Sequence, residues 1–176
     1  MKKIFKLTLA VALVLMSVAT ASAQKFGRVD VSAIIPNMPE FKEATANYEA
    51  YAKDLQNQLE MIQVELNQKY ADYQKNVNTY TDTIRQMKEA ELQDLSQRLG
   101  NFQQIAQQDL QQKEMELMKP VEDKAFEAIN KMAKEGGFLV VFSTAGDQPG
   151  AAGLAYFDAE ALIDITADVK KSLGIE

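Results

Sequence analysis

The chain contains no cysteine and no histidine. Without histidine it loses the commonest general base, the usual activator of a nucleophile and the commonest metal ligand together. Without cysteine it has no disulfide framework, and no residue after its N-terminal apolar run to carry a lipid. Oxidising compartments permit disulfides without requiring them, so this lack is compatible with export. Glycine and proline are sparse, eight and four among 176 residues, and no glycine falls between residues 40 and 99.

After the N-terminus, no run is apolar enough to span a bilayer. At the N-terminus itself, Lys2, Lys3 and Lys6 precede an uncharged apolar run over residues 7–18. Ala21-Ser22-Ala23 then supplies a small-x-small site, so a signal peptide over 1–23 is expected, with cleavage before Gln24. The run is short for a membrane anchor, which needs ~20 apolar residues. The mature chain is therefore expected to be exported, soluble and not membrane-embedded.

Positive charge is also scarce. The first 23 residues hold three of the 19 basic residues and none of the 25 acidic ones, leaving 16 basic against 25 acidic and a net charge of −9. Nucleic-acid binding needs a basic face, and this composition argues against it.

What is present is a long helical pattern framed by short β-like segments. Over residues 25–31, Val29 and Val31 alternate with Arg28 and Asp30, the period of a strand with one buried face. Pro36 and Pro39 bracket a turn and set a helix start near Glu40. From there to Glu135 the chain is rich in Gln, Glu, Lys, Leu, Met and Ala, all good helix formers.

Within that stretch Phe41, Thr45, Tyr48, Ala52, Leu55, Leu59, Ile62 and Leu66 recur at steps of four and three, a heptad seam. A second step of four, from Leu66 to Tyr70, is a stutter that locally unwinds the supercoil. The seam resumes through Tyr73, Val77, Tyr80, Ile84 and Met87. A single rod of this length would leave the seam naked, so a reversal is expected, and Asn, Thr and Asp cluster at 76–83. Asp82 or Thr83 is placed to cap a new helix, with Thr83 and Gln86 forming a capping box.

The returning seam runs through Leu92, Leu95, Leu99, Phe102, Ala106, Leu110, Leu117 and Val121. The two limbs are nearly equal, and at 1.5 Å per residue the hairpin would reach ~55 Å. Pro120, inside the helical pattern, is the hinge candidate at the junction of arm and body. Gly136 and Gly137 end the helix. Residues 138–142 form a continuous apolar run, expected to be a central strand. Residues 143–153 are expected to loop and 154–157 to form a short strand. Asp164 or Thr166 caps a last helix that ends at Gly174.

The expected fold class is α+β. A body of residues 24–39 and 120–176 carries a small sheet, and an arm of residues 40–119, with its tip near 76–83, is inserted between the strands.

This pattern resembles the Skp/OmpH family of periplasmic chaperones over essentially the whole mature chain. The resemblance rests on Lys25-Phe-Gly-Arg-Val-Asp-Val31, the Gln-rich hairpin, Pro120 at its base, and the ending Phe138-Leu-Val-Val-Phe142 followed by Asp164-Ile-Thr-Ala-Asp-Val169. It implies a homotrimer shaped like a jellyfish, whose bodies join through their sheets. It also implies an ATP-independent holdase that keeps unfolded outer-membrane β-barrel proteins between its arms, in the periplasm and without a cofactor. Independently, a body this small builds little core alone, and association supplies further burial.

One family trait is not carried over. Well-studied members are strongly basic, whereas residues 40–119 here are acidic overall, so no lipopolysaccharide site is assigned. Only the tip, with Lys69, Lys75, Arg85 and Lys88 beside Asp72 and Asp82, is expected to be mildly basic. The bland alternative is that these are ordinary solvated helix charges.

Six apolar residues fall off the seam: Tyr51, Met61 and Val64 on the first limb, Ile105, Met115 and Met118 on the second. Exposed apolar groups mark partner surfaces, and methionine and tyrosine suit promiscuous contact. These six are the client-binding candidates. Packing against a neighbouring arm or the body is the alternative.

No catalytic or metal-binding constellation is found. Glu114 and Glu116 are two apart on a helix and do not face each other. Asp164 and Asp168 suit a helix start. Residues 146–153 lack the spacing and lysine of a phosphate loop. The rival to a holdase is an envelope scaffold or adaptor whose hairpin binds one folded partner; an enzyme is not expected.

Overall fold

The computed structural model describes residues 24–144, 158 and 160–175. The expected signal peptide over 1–23 and the expected strand at 154–157 lie outside the described residues.

Strand β1 (Lys25–Asp30) alternates as the sequence predicts, burying Gly27 and Val29. It is followed by a single helical turn, α1 (Val31–Ile34), and a 3-10 turn (Ile35–Asn37), where only a proline-bracketed turn was expected. Asp30 explains the extra turn: its carboxylate accepts from the Ala33 amide at 3.1 Å and from Ser32 Oγ at 2.5 Å, capping α1.

Helix α2 (Pro39–Asn76) starts with proline at its first position and Glu40 in its first turn. The chain reverses through a 3-10 turn (Val77–Thr79) into α3 (Asp82–Glu135). The cap of α3 lies upstream of the expected capping box. Thr81, not Asp82 or Thr83, adopts extended geometry and accepts from the Ile84 amide. Helix α3 runs as one element of 54 residues through Pro120. The expected junction is therefore a proline within a continuous helix, not a gap between two.

Gly136 closes α3, and Gly137 follows with a positive φ of 67°. A Cβ on Gly136 would lie 2.4 Å from the Phe138 ring, so the glycine admits that ring against the helix end.

Strands β2 (Phe138–Thr144) and β3 (Ile163–Asp164) both pair parallel to β1, in the order β2-β1-β3. The expectation for 138–142 is corrected in one respect. The run is a strand, but the middle place belongs to β1, and β2 lies at the edge among the described residues. Parallel pairing of β1 with β2 needs a long crossover, and the whole α2–α3 hairpin supplies it. The arm is thus inserted between two adjacent strands.

Helix α4 (Thr166–Leu173) closes the body and ends at Gly174 with φ 71°. The Asp164 carboxylate accepts from the Thr166 amide at 2.9 Å. Thr166 Oγ1 accepts from the Asp30 amide at 2.9 Å, and the Ile165 amide donates to the Arg28 carbonyl at 3.0 Å. Arg28 and Asp164 form an ion pair at 3.0 Å across the same join.

The core gathers all of these elements. Val29, Ile34, Met38, Ala44, Val121, Ala125, Ile129, Ile165, Val169 and Ile175 form one buried cluster. Ala44, Val121, Ala125 and Ile129 belong to the arm helices, and Phe41, Leu117 and Met118 pack against the cluster. The base of the arm is therefore built into the body.

Candidate functional site

The seam predicted from the heptads is where the limbs meet. Leu55 and Ile62 of α2 and Leu95 of α3 are buried, while Leu59, Leu66, Leu99, Phe102, Ala106 and Leu110 are half-buried. Polar ties fasten the limbs from base to tip: Lys124 donates to Glu40, Lys113 sits 5.8 Å from the centre of the Tyr51 ring, and Arg98 approaches Glu65 at 4.0 Å. Nearer the tip, Lys69 donates to Glu91, and Tyr73 Oη donates to Glu89 at 2.5 Å.

Hydrogen bonding sets the charge states of these groups. The bond from Lys124 holds the Glu40 carboxyl below its ordinary range. Lys69, and then Lys88, do the same for Glu91. The bond to Glu91 raises Lys69, and the bond to Glu89 raises the Tyr73 hydroxyl.

The expected basic tip is largely self-neutralised. Lys69 and Lys88 both engage Glu91, the latter at 3.0 Å, and Arg85 approaches Asp82 at 3.9 Å. Lys75 makes no ion pair among the described residues. Glu89 and Glu91, brought in by the fold from the second limb, balance the four cations against four acids.

The off-seam apolar residues fall into two groups. Met61 is 71% exposed, Met115 66%, Ile105 53% and Val64 44%. Tyr51 is half-buried under Lys113, and Met118 packs on the body core. Three further residues escape the heptad reasoning, which put them on the seam. Tyr70, Ile84 and Met87 are exposed, Met87 at 68%.

Two of these exposed groups, Met61 and Val64, border a groove between the limbs. This groove, of about 850 Å³, is lined by Met61, Ile62, Val64 and Glu65 on α2 and by Arg98 and Phe102 on α3. A second, of about 570 Å³, lies between Ala52, Leu55 and Leu59 on α2 and Ala106 and Leu110 on α3. No group of three or more Asp or Glu side chains suited to a metal ion occurs among the described residues. Nor is any helix among them long and apolar enough to cross a membrane. What this surface offers is dispersed, deformable apolar contact along an acidic arm.

Residues 25–173 match the family described as Outer membrane protein (OmpH-like). The chain belongs to that family. The match takes in β1, both limbs of the arm, β2, β3 and α4, so arm and body are inherited together. A relative, the Chaperone protein Skp of Yersinia enterocolitica, is 26% identical over 161 residues, which cover 92% of this chain and 93% of that protein. The alignment thus leaves no large domain unmatched on either side. The OmpH-like family is a family of chaperones, not of enzymes.

Proposed function

We propose that this protein is an ATP-independent holdase of the periplasm that binds unfolded outer-membrane β-barrel proteins between its arms. One observation carries the reading: large apolar side chains, Met61, Val64, Ile105 and Met115, stand exposed along an arm whose seam is made by other residues. Single exposed apolar side chains are ordinary on a protein surface; what supports a client role is their recurrence along both limbs of the arm in a member of a chaperone family. Family membership and the Skp relative support the chaperone class, and the N-terminal export pattern supports the compartment.

The working unit in this reading is a homotrimer. Phe26 pairs with Val140 in the sheet, and both are more than one-third exposed, as is Leu139 at 60%. The apolar sheet surface without cover in one protomer is the surface through which three bodies would join. Pro120 stays the hinge candidate about which the arms would swing. Lys75 and Arg85, the tip cations least committed to neighbours, are the ones open to an anionic stretch of client.

The test is aggregation of a urea-denatured β-barrel protein diluted into buffer with the mature chain. Suppression at about one trimer per client supports the reading, and aggregation at an unchanged rate refutes it.

A further inference from the structure

We infer that the arm opens locally in the middle of α3, where the backbone yields at Gly100 while the limb stays fastened at both ends. Gly100 is the only glycine in the arm, residues 40–119. No packing accounts for it: a Cβ there would meet nothing within 4 Å, and its φ is not in the left-handed region. A glycine inside a helix is disfavoured against alanine by about five-fold in the local equilibrium. Here no steric need offsets that disadvantage, so the residue weakens the helix without improving a contact.

The packing around Gly100 is loose over the same stretch. Leu95 and Val121 are buried, yet no residue of α3 between them is. Two hollows lie between the limbs along this stretch, one of about 850 Å³ at Arg98 and Phe102 and one of about 570 Å³ at Ala106 and Leu110.

The ends are held. Toward the tip, Leu95 is buried and Glu91 holds Lys69; at the base, Val121 and Ala125 are buried in the body and Lys124 holds Glu40. Between them, among the described residues, two weaker ties cross the limbs, the long Arg98–Glu65 approach and Lys113 over Tyr51. A bow between these fastenings is separate from any fraying of the tip turns, residues 81–90, which are exposed throughout. When α3 bows out, Leu55 and Ile62 of α2 lose their cover while α2 keeps its own backbone bonds. On the chaperone reading this adds apolar surface where Met61 and Ile105 already stand.

Hydrogen exchange on the full mature chain, without client, tests the inference apart from that reading. Amides at 98–106 should exchange faster than those at 88–95 and than those at 55–66 on the facing limb. Gly100→Ala should slow the 98–106 amides by about five-fold and leave 55–66 unchanged. Because the added methyl enters open space, the variant folds as the parent does. Equal protection on both limbs, slowing that spreads equally to α2, or no effect of the substitution would each overturn it.

Discussion

Replacing Met61, Ile105 and Met115 together by serine separates holding from folding. The three side chains are 71%, 53% and 66% exposed, so little of their surface is withdrawn from water when the arm forms. Surface substitutions of this kind alter stability by about 0.5 kcal/mol or less each. Client binding is another matter. Full burial of such a side chain is worth about 1.5–3 kcal/mol, and an unfolded chain lying along the arm would cover about half of each. Taking about 1 kcal/mol apiece gives about 3 kcal/mol in all, or roughly a hundred-fold in Kd at 1.4 kcal/mol per decade. The assay is a fluorescence titration of a denatured β-barrel client against parent and triple variant, with thermal melts by circular dichroism on both. The reasoning expects Kd to rise by one to two decades with the melting temperature nearly unmoved. A Kd unchanged within two-fold, or a loss of binding explained by a collapsed melt, would refute it.

In the body, Ile34 is fully buried within the main cluster, and Ile34→Ala should destabilise it by about 2–5 kcal/mol, read as a lowered denaturant midpoint. The Lys69–Glu91 clasp should impose limits on both sides of neutrality. Glu91 is held below the ordinary glutamate value of 4.5, so its contribution is present above that value and is lost as the pH falls through the lowered one. Lys69 is raised above 10.5, so its contribution is present below that value and is lost as the pH rises through the raised one. Melts of Glu91→Gln should therefore lose part of the parent's acid-side dependence, and identical acid limbs for the two proteins would contradict the assignment.

The seam was legible because its information is local: steps of three and four place Leu55, Ile62 and Leu95 on one stripe whatever lies beyond. Ile84 and Met87 obey the same spacing yet stand exposed, and the reason is where the partner limb ends. Both lie in the first turns of α3, beside the last turn of α2, which ends at Asn76, so little of the partner limb remains to cover them. The charge of the tip was hidden for a related reason. Glu89 and Glu91 reach Tyr73 and Lys69 only once the register of the hairpin is set, and no stretch of sequence displays that register. The place of β2 was illegible because a continuous apolar run describes how much of a strand is to be covered. It does not say whether the cover comes from strands of the same chain or from another protomer.

That last point bears on how an acidic arm holds a client. With Lys69 and Lys88 engaged by Glu91, Arg85 near Asp82, and Glu89 adding a further acid at the tip, no part of the arm offers a broad positive field, and long-range attraction of an anionic chain is small at physiological ionic strength. Capture then depends on contact, and each contact is weak because the exposed apolar side chains are scattered rather than gathered in a pocket. Weak contacts hold a chain only in number. A single acidic hairpin presents four well-exposed candidates, Met61, Val64, Ile105 and Met115, along one rod, and a flexible client meets few of them at once. In the proposed trimer, three hairpins around a shared space would multiply the encounters without any new chemistry, since each contact made raises the effective concentration for the next. On that proposal the uncovered apolar surface of the sheet and the exposed methionines of the arm would belong to one design: association of the bodies would make the weak surface of the arms sufficient.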